Sequence, residues 1–258
     1  MLVLRSLAFN TLFYANLILW LIFAVLPSLL LPKRFLLAIA IAWSRSSLWL
    51  LRVVAGTHCE VTGIENIPQG GLMVAAKHQS FVETFTLVTV FQNPVFILKR
   101  ELTWIPLFGW ALKKLRMIPV DRGARARALS DVTRRAKVEL GQNGRQLLIF
   151  PEGTRRPPGA PPAYKFGAAH LYAELGVPCV PVALNTGLYW PRRKFLRRPG
   201  TIRIEILPPI MPGLDKLAFQ HELQGRIETA SDRLLAQGRA ELSALGLDPL
   251  ATQAPDKP

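Results

Sequence analysis

His78 and Glu83 stand five residues apart in the stretch "AAKHQSFVETF" (75–85), just past a plain apolar run. A carboxylate on the Nδ1–H of an imidazole fixes its tautomer and leaves Nε2 free to accept a proton, the arrangement of a general base. Such a base typically contributes about 10²- to 10⁴-fold in rate. Ser80 and Glu83 also match the S-x-x-E capping box of a helix start, with His78 incidental. One carboxylate is not expected to serve both uses at full strength, so the two readings compete. "FPEGTRR" (150–156) is a second cluster. Gly153 permits a tight turn, Thr154 offers a hydroxyl and Arg155 a planar fork suited to phosphate. "LKRELTWIPLFGW" (98–110) and "MIPVDRG" (117–123) add Lys99, Arg100 and Arg122, either as phosphate-directed cations or as a solvated basic face. Cys59 beside His58 lies in a strand-like run, and Ser80 sits awkwardly close to His78 in sequence, so neither is favoured as a nucleophile. No metal-ligand spacing is visible.

These residues need elements to position them. "LMVAA" (72–76) is an unbroken apolar run of strand length, as for a strand buried on both faces. Further strands are read at 59–63, 94–99, 117–120, 146–150 and 177–184, and "TIRIEIL" (201–207) alternates as an edge strand would. Helices are expected from Ser80, over 124–140, near 165–175, and as one or two amphipathic segments within 214–245. Strands alternating with helices predict an α/β fold with a mixed, largely parallel sheet flanked by helices. Ligands gather beyond the carboxyl ends of strands in such sheets. "KHQSFVE" and "PEGTRR" both fall at such ends.

Half of the 258 residues are hydrophobic, and the excess is local. Residues 7–31 carry no charge and as a helix would span roughly 35 Å, against the ~30 Å hydrocarbon core. Residues 35–54 form a second apolar stretch, interrupted by Arg45 and Arg52, which would share one helical face and could lie among headgroups. Residues 1–54 therefore read as a two-helix membrane anchor, with the second helix interfacial or packed on the domain rather than cleanly spanning. The net charge of +15 and pI of about 10.6 then point toward anionic lipid rather than nucleic acid, since no recognition-helix or zinc-finger pattern accompanies them. Two cysteines far apart in sequence fit a reducing compartment.

In order, these segments resemble the 1-acyl-sn-glycerol-3-phosphate acyltransferase family, whose blocks are H-x-x-x-x-D, a Lys/Arg block with Pro and Gly, E-G-T-R and V-P-V. Here they stand as "HQSFVE", "KRELTWIPLFGW" running on to "VDR", "PEGTR", and "VPV" at 180–182, over roughly residues 55–210. Glu83 replaces the usual Asp, and its extra methylene is one the loop could absorb. The resemblance implies an acyltransferase domain over 55–250, an amino-terminal two-helix anchor and placement on the cytoplasmic face of the cell membrane. Residues 251–258 read as a disordered tail. It further implies His78 as base with Glu83 orienting it. Arg155, with Arg122 and Lys99, would hold phosphate, while Glu152, Gly153 and Thr154 shape the acceptor site. The acceptor would be a lysophospholipid and the donor acyl-CoA or acyl carrier protein, as co-substrate, with no metal or other cofactor. A different lysolipid acceptor, a hydrolase using Ser80 and a non-catalytic basic membrane adaptor are the alternatives.

Overall fold

The computed structural model describes residues 1–121 and 125–248, so Arg122 and the expected tail at 251–258 lie outside the described residues. The chain opens with α1 (Leu2–Trp20), a π-helical turn (Leu21–Val25) and α2 (Leu26–Ser28). These form one helical rod of 27 residues, and α3 (Lys33–Leu50) with its own π-helical turn (Leu51–Ala55) forms a second of 23. Both rods are long and apolar enough to cross a bilayer. Arg45 and Arg52 are exposed on the second rod.

Seven strands follow: β1 (Thr57–Thr62), β2 (Leu72–Ala76), β3 (Pro94–Lys99), β4 (Ile118–Val120), β5 (Gln146–Ile149), β6 (Cys179–Leu184) and β7 (Gly200–Ile206). Six helices alternate with them or close the chain: α4 (Val82–Val90), α5 (Phe108–Lys114), α6 (Arg125–Asn143), α7 (Gly167–Leu175), α8 (Thr186–Tyr189) and α9 (Lys216–Ala244). The sheet runs β1-β7-β6-β2-β5-β3-β4, with β6–β7 the one antiparallel pair. The expected mixed, largely parallel α/β architecture is the one observed.

One expectation is corrected. The alternating strand near 201–207 is not at the edge: β7 lies between β1 and β6, and β1 is the outer strand. Its period of two reflects one polar face, where Arg203 and Glu205 meet Glu241 and Arg233 on α9, rather than an unpaired side. The 214–245 region is a single 29-residue helix, opened by Asp215 accepting from the Leu217 and Ala218 amides.

Every residue of β2 is buried, as expected for a central strand sandwiched between helical layers. Its parallel register with β5 (Leu72 opposite Gln146, Ala75 opposite Ile149) decides the rest. The residues leaving the carboxyl end of β2 emerge beside those leaving β5.

The core does not stop at residue 55. Phe9 and Phe13 of α1 are buried in the main hydrophobic cluster, where Phe13 meets Trp43, Phe81, Phe85 and Trp190 at ring-centroid distances of 6.2, 6.0, 6.1 and 5.1 Å. Asn10 and Ser6 hydrogen-bond the 195–197 loop, tying the start of α1 to the same face. The apolar hairpin and the sheet domain thus share packing, and the first helix does not detach without opening it. Phe13→Ala should destabilise the whole domain by about 3–5 kcal/mol, read by denaturant or thermal unfolding in detergent. An unchanged midpoint would mean that the hairpin packs independently.

Candidate active site

The turn from β2 to α4 carries His78. Helix α4 starts at Val82 rather than at Ser80, and the residues 77–81 between strand and helix form a tight corner. Glu83 Oε1 accepts from the Gln79 amide at 2.8 Å and the Ser80 amide at 2.7 Å, and the same oxygen lies 2.9 Å from His78 Nδ1. The competition expected between capping and ring orientation does not arise. The first turn folds back so that two backbone N–H groups and the ring converge on one oxygen, and a carboxylate oxygen accommodates all three. The extra methylene of glutamate supplies this reach from within α4.

Glu83 is fully buried. Burial pushes its carboxyl pKa up, but the His78 hydrogen bond, the charge of the ring and the Ser80 amide together hold it below the ordinary value. An ionised carboxylate has no proton to give, so Nδ1 must be the donor. In the neutral form of the ring, Nε2 then carries the lone pair. No protein group hydrogen-bonds Nε2 among the described residues, and His78 lines a large cavity. Phe150, at the end of β5, stacks on the imidazole with centroids 3.9 Å apart and planes 17° off parallel. The ring is thus fixed at one nitrogen and on one face.

The "FPEGTRR" turn lies directly alongside. The Arg156 amide donates to His78 O at 2.8 Å, and the His78 amide donates to Glu152 Oε2 at 2.9 Å. Glu152, expected to shape the acceptor site, is buried with its carboxylate turned into the protein. Its other oxygen lies 3.6 Å from Lys77 Nζ, and Lys77 in turn pairs with Glu228 of α9 at 2.6 Å. Tyr164 donates to the same Glu228 at 2.8 Å. Burial raises the Glu152 pKa, against the Lys77 charge and the His78 amide. Glu152 therefore acts on the backbone of His78 rather than presenting charge to a ligand.

Gly153, Thr154 and Arg155 all line the cavity. Gly153 has φ +66°, a conformation that favours glycine, and a Cβ there would lie 3.1 Å from Lys165 Cδ and Cε. Arg155 is partly buried, its guanidinium 5.4 Å from the centre of the Phe81 ring, and its buried Nε has no protein partner. Lys99 also lines the cavity, but its half-exposed amine pairs with Glu101 at 3.2 Å. Arg100 is engaged by Asp121 at 2.6 Å. Ser80 is fully buried and Cys59 has its thiol pushed up to about 12 by burial, so neither presents a nucleophile.

The cavity holds about 880 Å³ and has largely apolar walls. Leu17 and Trp20 of α1, Trp43 of α3, Phe85 of α4 and Leu112 of α5 line it, and His78 with Arg155 form part of the same wall. A long hydrocarbon chain and a polar head could occupy it together. Sequence reasoning missed three of the groups that hold the site. Phe150 was read only as the end of a strand. Lys77 stood inside the quoted motif, where a lysine next to a buried strand was the available signal. Glu228 carries no local signal, since its role exists only once α9 docks.

The depressed Glu83 pKa has a defined sign. Its contribution to stability is present above the unfolded carboxyl value of about 4.3 and is lost as pH falls through the lower folded value. The difference in unfolding free energy between wild type and Glu83→Gln should therefore shrink on acidification from pH 7 to below about 4. A difference that stayed constant or widened would contradict an ionised Glu83 on the His78 ring.

Residues 58–185 match the acyltransferase family. A 1-acyl-sn-glycerol-3-phosphate acyltransferase of Pseudomonas aeruginosa is 39% identical over 206 residues, covering 79% of each chain. The mouse 1-acyl-sn-glycerol-3-phosphate acyltransferase alpha is 31% identical over 159 residues, 60% of this chain and 55% of its own. In fold, the chain is similar to the crystal structure of the 1-acyl-sn-glycerophosphate (LPA) acyltransferase PlsC from Thermotoga maritima, with a TM-score of 0.76, 24% identity, and coverage of 91% of this chain and 98% of that one. With a buried carboxylate–imidazole pair at the end of β2, an arginine turn at the end of β5 and a relative this similar along most of its length, the chain belongs to the 1-acyl-sn-glycerol-3-phosphate acyltransferase family.

Proposed function

We propose that the protein transfers a fatty acyl group from an acyl thioester, acyl-CoA or acyl carrier protein, to the sn-2 hydroxyl of 1-acylglycerol 3-phosphate, giving phosphatidic acid. The observation that carries this reading is the 2.9 Å contact of His78 Nδ1 with a buried carboxylate, with Nε2 left to the cavity. His78 Nε2 takes the hydroxyl proton as the acceptor oxygen attacks the thioester carbonyl. The carbon–sulfur bond then breaks, and the imidazolium returns the proton to the leaving thiolate. Glu83 stabilises the positive ring formed on the way. No covalent acyl-protein is needed, consistent with the burial of Ser80 and the raised pKa of the Cys59 thiol.

Arg155, with Lys99 beside the cavity and Arg122, is assigned to the acceptor phosphate, and Gly153 and Thr154 to the turn that admits it. The two apolar rods support a membrane location, and the catalytic domain is assigned to the cytoplasmic face of the cell membrane as part of the same proposal. Exposed Phe23 and Trp49 on those rods, Leu30 in the turn between them, and Trp104 and Ile105 in the 100–105 segment give it an apolar surface toward lipid. Leu17, Trp20 and Trp43 carry that apolar character into the cavity wall, so an acyl chain would move between lipid and site without exposure to water.

His78→Ala, purified in mixed micelles, should lose at least about 10²- to 10⁴-fold in acyl transfer to lysophosphatidate while remaining folded, with a lowered unfolding midpoint because buried Glu83 loses a partner. Near-normal turnover would remove the general-base assignment. Arg155→Ala should raise the KM for lysophosphatidate roughly tenfold or more with little effect on the KM for the thioester. An equal rise in both would argue against a phosphate role.

A further inference from the structure

Resting on the acyl-transfer reading, we propose that Arg192 and Lys165, which lie outside the four sequence blocks, complete with Arg155 a three-cation cradle for the phosphate of the acceptor lipid. Arg192 opens the basic run 192–198, which as sequence reads as an outward patch for a carrier protein or anionic lipid. The structure divides that run. Arg193 is exposed, whereas Arg197 folds back over Trp190 at 4.7 Å and donates to the carbonyls of its own loop. Arg192 turns the other way, onto the β5 turn. Its Nη1 donates to Arg155 O at 3.2 Å and lies 3.4 Å from Thr154 Oγ1. Its Nε and Nη2 have no protein acceptor among the described residues. Arg192 therefore lines the same cavity as His78, Arg155 and Lys165.

Lys165 lines that cavity as well. Its amide donates to Pro151 O at 2.9 Å, and its stem crosses the bare face of Gly153, with Nζ 3.3 Å from where a Cβ would stand. The glycine thus serves the lysine as well as the turn. None of the three cations forms an ion pair with a carboxylate among the described residues, although eleven of the other Lys and Arg residues do. Arg155 feels the charge of Arg192 beside it. Burial pushes its guanidinium pKa down, Glu83 pulls it back and Arg192 lowers it again. Three cations without a direct carboxylate ion pair on one cavity wall are well matched to a phosphate dianion. Recognition of phosphate over an uncharged headgroup would then depend on residues from three separate segments. They would hold the headgroup on the same wall as the Nε2 that takes the hydroxyl proton.

A merely mechanical role is the competing account of Arg192, since its bond to Arg155 O could brace the turn. Charge and bracing respond differently to substitution. Glutamine keeps a donor for the carbonyl without the charge, and lysine keeps the charge. The full-length wild type, Arg192→Gln, Arg192→Lys and Lys165→Ala should be assayed in mixed micelles with lysophosphatidate and with a phosphate-free monoacylglycerol. Arg192→Gln should raise the KM for lysophosphatidate roughly tenfold to a hundredfold and Arg192→Lys only severalfold. Lys165→Ala, more exposed, should raise it roughly two- to fivefold. The KM for the thioester should stay within about twofold in every case. Recovery by Arg192→Gln, a parallel rise in both KM values, or an unmoved acceptor KM would overturn the cradle while leaving lysophosphatidate as the acceptor. A wild type that prefers the phosphate-free lipid would instead overturn the reading on which the cradle rests.

Discussion

One oxygen atom organises this site. Glu83 Oε1 receives the imidazole of His78 and two successive backbone amides, all within 2.9 Å. Each of these bonds depends on the others. The amides hold the carboxylate ionised despite complete burial, the ionised carboxylate fixes the ring tautomer, and the ring supplies part of the stabilisation that offsets desolvation. An isolated buried carboxylate would cost several kcal/mol and take up a proton. A protonated Glu83 could no longer stabilise an imidazolium. The turn at the end of β2 is therefore a single electrostatic unit rather than a base with an accessory cap.

The sheet makes that unit useful. Parallel pairing of β2 with β5 brings two polar turns out at the same height, and the turns are then stitched by the Arg156 amide to His78 O and the His78 amide to Glu152. Glu152 links the backbone of His78 to α9 through Lys77 and Glu228. On the cavity side the aromatic residues of α1, α3 and α4 close a continuous apolar wall. Chemistry, headgroup recognition and the lipid-facing hairpin are thus coupled through shared packing, since Phe81 and Phe85 touch Phe13 of α1 and stand in the turn and helix that follow His78.

The parts of this arrangement that sequence reveals are those encoded locally. The unbroken apolar run of β2 marks a central strand, and polar clusters following two such runs mark a site at their carboxyl ends. Alternation in β7 was legible too, but it records a polar face, and face and edge give the same period of two. The dual use of Glu83 was not legible, because it depends on the backbone folding back within one turn. Residues far apart in sequence, such as Lys77 with Glu228 or Arg192 with Thr154 and Arg155, meet only after docking, and a basic run such as 192–198 carries no sign of which arginine turns inward.

The central claim concerns the proton on one imidazole, and it is open to direct observation. The chain has four histidines, so 15N-labelled imidazole resonances of His78 can be assigned by comparison with His78→Ala. In detergent, the account predicts that the neutral form of the His78 ring carries its proton on Nδ1 and its lone pair on Nε2. A ring protonated at Nε2 with a bare Nδ1 would contradict it, because Glu83 would then hold no hydrogen bond from the base and no nitrogen would face the cavity ready to take a proton.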